Sequence, residues 1–222
     1  MKIFESIIKK DDIVFDVGSN LGDKSEIFLS LGAKVIGFEP QLECCEYSIR
    51  RFINTNFLVE NIGLDNKVGT EKIYIASYHT ISSMSEKFIE ESKKERFVEY
   101  SWNNQRIIKT DTLDNMIYKY GKPAFIKIDV EGYELNVLQG LSQPIDCISI
   151  EYNPELCEST IKCIEYICSL NNETIFNYGY RNDEYFKYND WISKDEMISY
   201  LRSVNDFKFE FGDVYVKNIN MI

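Results

Sequence analysis

Acidic side chains close five apolar runs in this chain, and their spacing suggests a ligand site. Ile13-Val14-Phe15 runs into Asp16 and the turn Gly18-Ser19-Asn20-Leu21-Gly22. Lys34 to Phe38 ends in Glu39-Pro40, Phe57-Leu58-Val59 in Glu60-Asn61, Ala124 to Ile128 in Asp129, and Cys147 to Ile150 in Glu151. If these runs are parallel strands, the acids gather at their carboxyl ends, where open α/β sheets bind ligands. Gly18 and Gly22 allow a tight turn and a close approach of backbone to ligand. The helix that follows offers free N–H groups to a carboxylate. Glu39 lies 23 residues beyond Asp16 at the tip of the neighbouring strand, where a carboxylate can accept both hydroxyls of a ribose. The expected binding set is Asp16, Gly18, Ser19, Asn20, Gly22, Glu39, Pro40, Glu60, Asn61, Asp129 and Glu131. Such a pocket suits a nucleoside bearing an amino-acid tail.

A dinucleotide is the obvious competitor. Its fingerprint, G-x-G-x-x-G, uses glycines to approach a pyrophosphate. Here Asn20 stands where the second glycine belongs, Asp23 occupies the third, and Asp16 precedes the first by two residues. An anion beside a pyrophosphate is repelled, whereas beside the ammonium of a methionine moiety it is attracted. The cofactor expected is therefore S-adenosylmethionine. A nicotinamide-dependent oxidoreductase and a non-catalytic S-adenosylmethionine-binding module are the alternatives.

Methyl transfer from a sulfonium mostly requires alignment of oxygen, methyl and sulfur. A hydroxyl is a poor nucleophile and needs a base or a metal ion. His79, the single histidine, lies in Ser77-Tyr78-His79-Thr80-Ile81-Ser82-Ser83-Met84, and His79 and Asp129 are the candidate catalytic residues. Alternatively Asp129 and Glu151, on strands about 4.8 Å apart, hold a divalent cation. His79 would complete that set, a mixture of nitrogen and carboxylate suited to iron, manganese or magnesium. Lys127, Asp129 and Glu131 share one side of a strand. A buried lysine is costly unless paired, so Lys127 is expected to hold a neighbouring carboxylate. Plainer roles compete: Asp129 and Glu131 as helix caps, Glu134 serving the same helix, His79 on the surface. Tyr178, Tyr180, Tyr185, Phe186, Tyr188 and Trp191 read either as a sugar-stacking wall or as packing over the sheet.

The elements that must position these residues alternate strand and helix. Gly32 sits just past the helix that follows the first turn, and Leu42, Cys45, Ile49 and Phe52 mark one face of the next. This rhythm implies parallel pairing with right-handed crossovers. It breaks between about residues 63 and 122. There Lys72 to Ile75 and Gln105 to Lys109 read as extra strands, Ser85 to Arg96 as a charged, exposed helix, and Asp111 to Tyr120 as another helix. A long excursion of this kind usually builds a cap or lid. After it come a helix from Gly132, a helix through Leu156, Ile161, Ile164 and Cys168, and a capping box of Ser193 and Glu196. The alternation of Phe207, Phe209 and Phe211, with Val214 and Val216, suggests a closing antiparallel pair. The expected fold is a doubly wound, mostly parallel Rossmann-like α/β sheet. Residues 1–222 form one domain with a cap-like insertion.

The chain has 222 residues, 44% hydrophobic and 14% aromatic, with a formal net charge of -11. That composition suits one globular domain. The acidic balance argues against nucleic-acid or anionic-membrane partners. No run approaches the roughly 18 apolar residues a membrane span needs. The first eight residues, with Glu5 among them, read as a short amphipathic helix and not a signal peptide. The six cysteines lack C-x-x-C pairs and are expected to be reduced core thiols of a cytoplasmic protein.

Four segments, Phe15 to Gly22, Val35 to Pro40, Lys109-Thr110-Asp111-Thr112-Leu113-Asp114, and Phe125-Ile126-Lys127-Ile128-Asp129-Val130-Glu131-Gly132-Tyr133-Glu134, resemble the FkbM family of methyltransferases. The match runs from about Asp11 to Pro154, and the last segment is the most distinctive. The resemblance implies a class I methyltransferase sheet. It also implies O-methylation of a hydroxyl on a small-molecule acceptor, a sugar, sugar nucleotide or related natural product.

Overall fold

The computed structural model describes residues 2–94, 96–180, 184–204 and 211–219. Seven strands form the main sheet, in the order β3-β2-β1-β7-β8-β10-β9. They are β1 (Ile13–Val17), β2 (Lys34–Phe38), β3 (Phe57–Glu60), β7 (Phe125–Ile128), β8 (Cys147–Tyr152), β9 (Thr174–Tyr180) and β10 (Gly212–Asn218). The first five in spatial order are parallel. β10 runs antiparallel to both β8 and β9. The order reverses between β1 and β7, so the loops after those two strands flank the switch point where such sheets bind ligands.

Alternation along the strands explains why both faces are covered. Phe15, Ile36, Ile126 and Ile148 face one core. It is closed by α5 (Leu113–Tyr120), α6 (Glu134–Leu138), α7 (Cys157–Leu170) and α8 (Lys194–Val204). Their neighbours Val14, Val35, Phe125 and Cys147 face the other, where Ile3 and Phe4 of α1 (Lys2–Ile7) meet Phe28 of α2 (Asp23–Ser30). The remaining helix of the main sheet, α3 (Leu42–Arg51), packs beside β3. Burying side chains on both faces is what makes Ile13-Val14-Phe15 of β1 read as an unbroken apolar run.

Between β3 and α5 the chain builds a small sheet, β4 (Gly63–Leu64), β6 (Asn104–Asp111) and β5 (Gly69–Ile75), in that order. A 3-10 turn, His79–Ile81, and α4 (Glu86–Ser92) lie between β5 and β6. The expectation of an exposed helix here is corrected. Phe88 and Ile89 are buried against Ala76, Ile81, Trp102 and Leu156, so the segment carries its own apolar core. Charged residues concealed that inward face. The indole N–H of Trp102 donates to the Ile81 carbonyl at 2.8 Å, tying the 3-10 turn to this core. α5, by contrast, packs Leu113, Met116 and Ile117 into the main core.

The closing antiparallel pair forms as expected: Val214 and Val216 lie on β10, which runs antiparallel to β9 and also to β8. Phe207 and Phe209 fall outside the described residues. The aromatic segment at Tyr178 is β9, and Phe186 packs on Trp191 and Tyr215 at 5.2 Å each. The cluster is packing over the sheet. The capping box at α8 forms as expected, with Ser193 N–H donating to Glu196 Oε2 at 2.8 Å. Among the described residues no helix is long and apolar enough to cross a membrane, and all six cysteines are free.

Candidate active site

The turn after β1 is shaped by the chain's own crowding. Gly18 has φ 79°, and a Cβ there would lie 1.8 Å from the Asp129 carbonyl oxygen. Gly22, at φ 87°, would put a Cβ 2.4 Å from Cε2 of Phe52. Both glycines are therefore demanded by backbone hand and by internal contacts, beyond any ligand approach. Gly18 N–H donates to the Phe38 carbonyl at 2.9 Å, locking the turn to the end of β2.

Glu39 sits at that end, 3% exposed. Its Oε2 accepts from Asn20 N–H at 2.9 Å and its Oε1 from Gln41 N–H at 2.7 Å. Burial pushes the carboxyl up to about 7, a rise that the two backbone donors only partly offset. Each carboxylate oxygen has a second lone pair, so Glu39 keeps capacity for hydroxyl donors.

A cleft of about 520 Å³, open mouth included, lies above this turn. Gly18, Asn20, Glu39, Pro40, His79, Asp129 and Glu131 of the expected residues line it. The cap forms its roof. The His79 carbonyl accepts from Gln41 Nε2 at 3.1 Å and from Asn20 Nδ2 at 3.4 Å, and Ser82 Oγ donates to Gln41 Oε1 at 3.1 Å. His79 Nδ1 is buried without a hydrogen-bond partner. Ser83 Oγ donates to the Glu131 carbonyl at 2.7 Å, joining the cap to the end of β7.

Several expected residues stand elsewhere. Asp16 is buried behind the turn, where it accepts from Ser25 Oγ at 2.5 Å. Burial raises its carboxyl and Lys127 opposes the rise. Ser19 and Gly22 do not line the cleft. Glu60 is taken by Lys119 at 2.5 Å and by Tyr120, because β3 is the sheet edge and α5 lies beside it. Asn61 donates from Nδ2 to the carbonyls of Glu39 and Pro40, each at 3.0 Å. It braces the Glu39 segment from behind. Glu60 and Asn61 open instead onto a separate surface groove with Arg106 and Lys109. Gln41, Ser82, Ser83 and Tyr133 line the cleft or fasten its roof, and sequence reasoning missed them. Only Gln41, two residues beyond Glu39, carried a local signal.

At the other end of the cleft, lining residues Asp129 and Glu131 converge with Glu151 behind them. Asp129, Glu131 and Glu151 each offer an oxygen, and these lie within 4.8 Å of one another. His79 does not belong to this group, so the expected mixed ligand set is corrected: its backbone is fastened to Asn20 and Gln41, and Glu131 stands in its place. Lys127, 1% exposed, reaches Asp129 Oδ2 at 2.6 Å, the pairing expected of a buried lysine. Burial pushes Asp129 up, but this ammonium more than offsets it and holds the carboxyl below its ordinary range. Burial, with Asp129 close by, drives Glu131 and Glu151 well above theirs. Glu131 adopts φ 52°, an uncommon hand for a residue with a side chain. Glu134 turns back, its Oε1 accepting from Val130 and Gly132 N–H at 3.2 and 3.0 Å, and burial raises it to about 7.

A seven-stranded, doubly wound sheet with an antiparallel penultimate strand thus carries a buried carboxylate after β2 and a cleft at the switch point. The chain belongs to the family described as the methyltransferase FkbM domain, whose model matches residues 16–208. It is similar to the hexuronic acid methyltransferase AglP of Haloferax volcanii, with 30% identity over 145 residues, 64% of this chain and 54% of that protein. The chain thus spans about half the length of this curated relative. Among solved structures it aligns with a precorrin-6y C5,15-methyltransferase from Geobacter metallireducens (6% identity, 97% of this chain and 83% of the other, TM-score 0.49). It also aligns with a putative rRNA-methylase from Clostridium thermocellum (10% identity, 99% and 93%, TM-score 0.48).

Proposed function

We propose that this chain uses S-adenosylmethionine to methylate a hydroxyl of a sugar, free, nucleotide-linked or within a glycan, or of a related natural product. The observation that carries this reading is Glu39, a buried carboxylate beside the Gly18–Gly22 turn with lone pairs left over on the wall of a capped cleft. Family membership supports the donor, and the name of the Haloferax volcanii relative supports a sugar acceptor.

The residues present fit that donor. Glu39 would accept the ribose hydroxyls, Gly18 and Asn20 would line the tail, and Pro40 would flank the nucleoside. The amino-acid end extends along Gly18 toward Asp129, which the Lys127 ammonium keeps ionised and whose charge suits an ammonium. When bound, S-adenosylmethionine supplies a methyl group on a sulfonium that leaves as a neutral thioether. The chain's own part is to align the acceptor oxygen and take its proton. His79, with Nδ1 buried and without a partner, is assigned as base, and Asp129 as the group that orients the hydroxyl. Residues 63–111 act as the cap of a single catalytic domain and exclude water from the cleft. The acidic cleft and the net charge of -11 favour a small-molecule acceptor over nucleic acid.

The test is incubation with labelled donor and a panel of sugars, sugar nucleotides and uronic acids. Label in an alkali-stable ether on a sugar hydroxyl is expected. Donor binding with no transfer to any acceptor would overturn the catalytic reading.

A further inference from the structure

The methyl-transfer reading uses Asp129 but gives no account of its convergence with Glu131 and Glu151. We propose that these three carboxylates hold a hard divalent cation through oxygen atoms alone. Three points no more than 4.8 Å apart lie within about 2.8 Å of a common centre by plane geometry. Calcium–oxygen distances run ~2.3–2.6 Å. Small side-chain rotations therefore close the set around an ion.

The surroundings of each carboxylate point the same way. Asp129 is held from one side by Lys127 on Oδ2. Glu151 is held through Oε2 by Asn153 Nδ2 at 2.8 Å, and Asn153 is itself held by Arg96 at 2.6 Å. Such outer partners orient the ligands of metal sites. Glu131 supplies the independent sign of a missing partner. It is nine-tenths buried, yet its Oε2 has no hydrogen-bond partner, and a buried acceptor normally finds one. Oxygen donors without sulfur or nitrogen select magnesium, manganese or calcium over softer metals. At this end of the cleft the cation would face the acceptor and offset the negative charge that a uronic acid would otherwise meet. That last role rests on the sugar reading above; the binding itself does not.

The experiment is calorimetric titration of Mn²⁺ into the intact, chelator-treated protein with neither donor nor acceptor present. One saturable site is expected. Glu131→Gln and Glu151→Gln should each weaken it at least about tenfold, the lower bound seen when even an outer partner is lost. Glu46→Gln, on the exposed face of α3, should leave it unchanged. Circular dichroism checks folding, and if one glutamine variant unfolds the other carries the comparison. Thermal stabilisation of the parent protein by Mn²⁺ is a readout that needs no variant. Absence of saturable binding with Mn²⁺, Mg²⁺ and Ca²⁺, or unchanged binding in the glutamine variants, overturns the site. Tighter binding of methylammonium than of any of the three metals would overturn it too. Loss of the methyl-transfer reading would leave these outcomes untouched.

Discussion

Lys127 Nζ lies 2.6 Å from Asp129 Oδ2 and 3.9 Å from Asp213 Oδ1, so one buried ammonium serves acids from two strands that are not neighbours. Burial lowers this lysine, but Asp129, Asp213 and Asp16 outweigh it and raise it. Lys127→Met strips the partner from buried carboxylates, with an expected cost of about 3–5 kcal/mol. Urea unfolding reads this as a lower midpoint at unchanged slope. The Asp129 share of the pairing is present above the unfolded carboxyl value of about 3.9 and fades as pH falls through the depressed folded value. A loss under about 1 kcal/mol at pH 7 would contradict the pairing.

Glu39 gives the opposite pH signature. Its folded value of about 7 exceeds the unfolded value of about 4.3. The folded state therefore holds the extra proton between the two, and stability contributed by this group falls as pH rises through that window, by up to about 3 kcal/mol. Glu39→Gln should gain stability relative to the parent on going from pH 5 to pH 8. In the same variant donor affinity should fall and lose its rise with pH. Parallel stability profiles for both proteins would remove the buried acid from this account.

The two glycines of the turn should differ in their response to alanine. At Gly18 the obstacle is the Asp129 carbonyl, fixed in the sheet, so Gly18→Ala is expected to cost more than about 4 kcal/mol. At Gly22 the obstacle is the Phe52 ring, which a smaller side chain removes. Gly22→Ala should cost about 1–3 kcal/mol, and part of it should return in a Phe52→Leu background. A double-mutant cycle with no coupling would refute the steric explanation.

His79 separates two roles through kinetics. As base, His79→Ala should lower kcat by about 10²–10⁴ with donor affinity kept, since its backbone carbonyl still accepts from Asn20 and Gln41. If donor affinity falls while kcat stays constant, His79 belongs to the nucleoside end of the cleft.

The sheet was legible because Phe15, Ile36 and Ile126 alternate with residues facing the second core, and because Asp16, Glu39 and Asp129 mark strand ends. The roof was not. Phe88 and Ile89 are two apolar residues within a charged helix, too few to set a period. Ser82 and Ser83 reach the sheet through Gln41 and Glu131, partners more than forty residues away. Glu60 looked equivalent to Glu39 because both close a strand. Position in the sheet decides between them, since an edge strand leaves Glu60 to Lys119. Glu131 was expected beside the donor, but only the left-handed turn after β7 brings it against Glu151.

The last strand in sequence, β10, lies inside the sheet between β8 and β9, with Asp213 opposite Glu151. A nascent chain that has left the ribosome only as far as Tyr180 therefore carries two unpaired edges one strand-width apart. Such edges template pairing with other chains. Until Gly212 to Asn218 arrives, the growing polypeptide is exposed to aggregation and Lys127 lacks one of its anions. Lys127 therefore gains its partner Asp213 only after β10 has emerged.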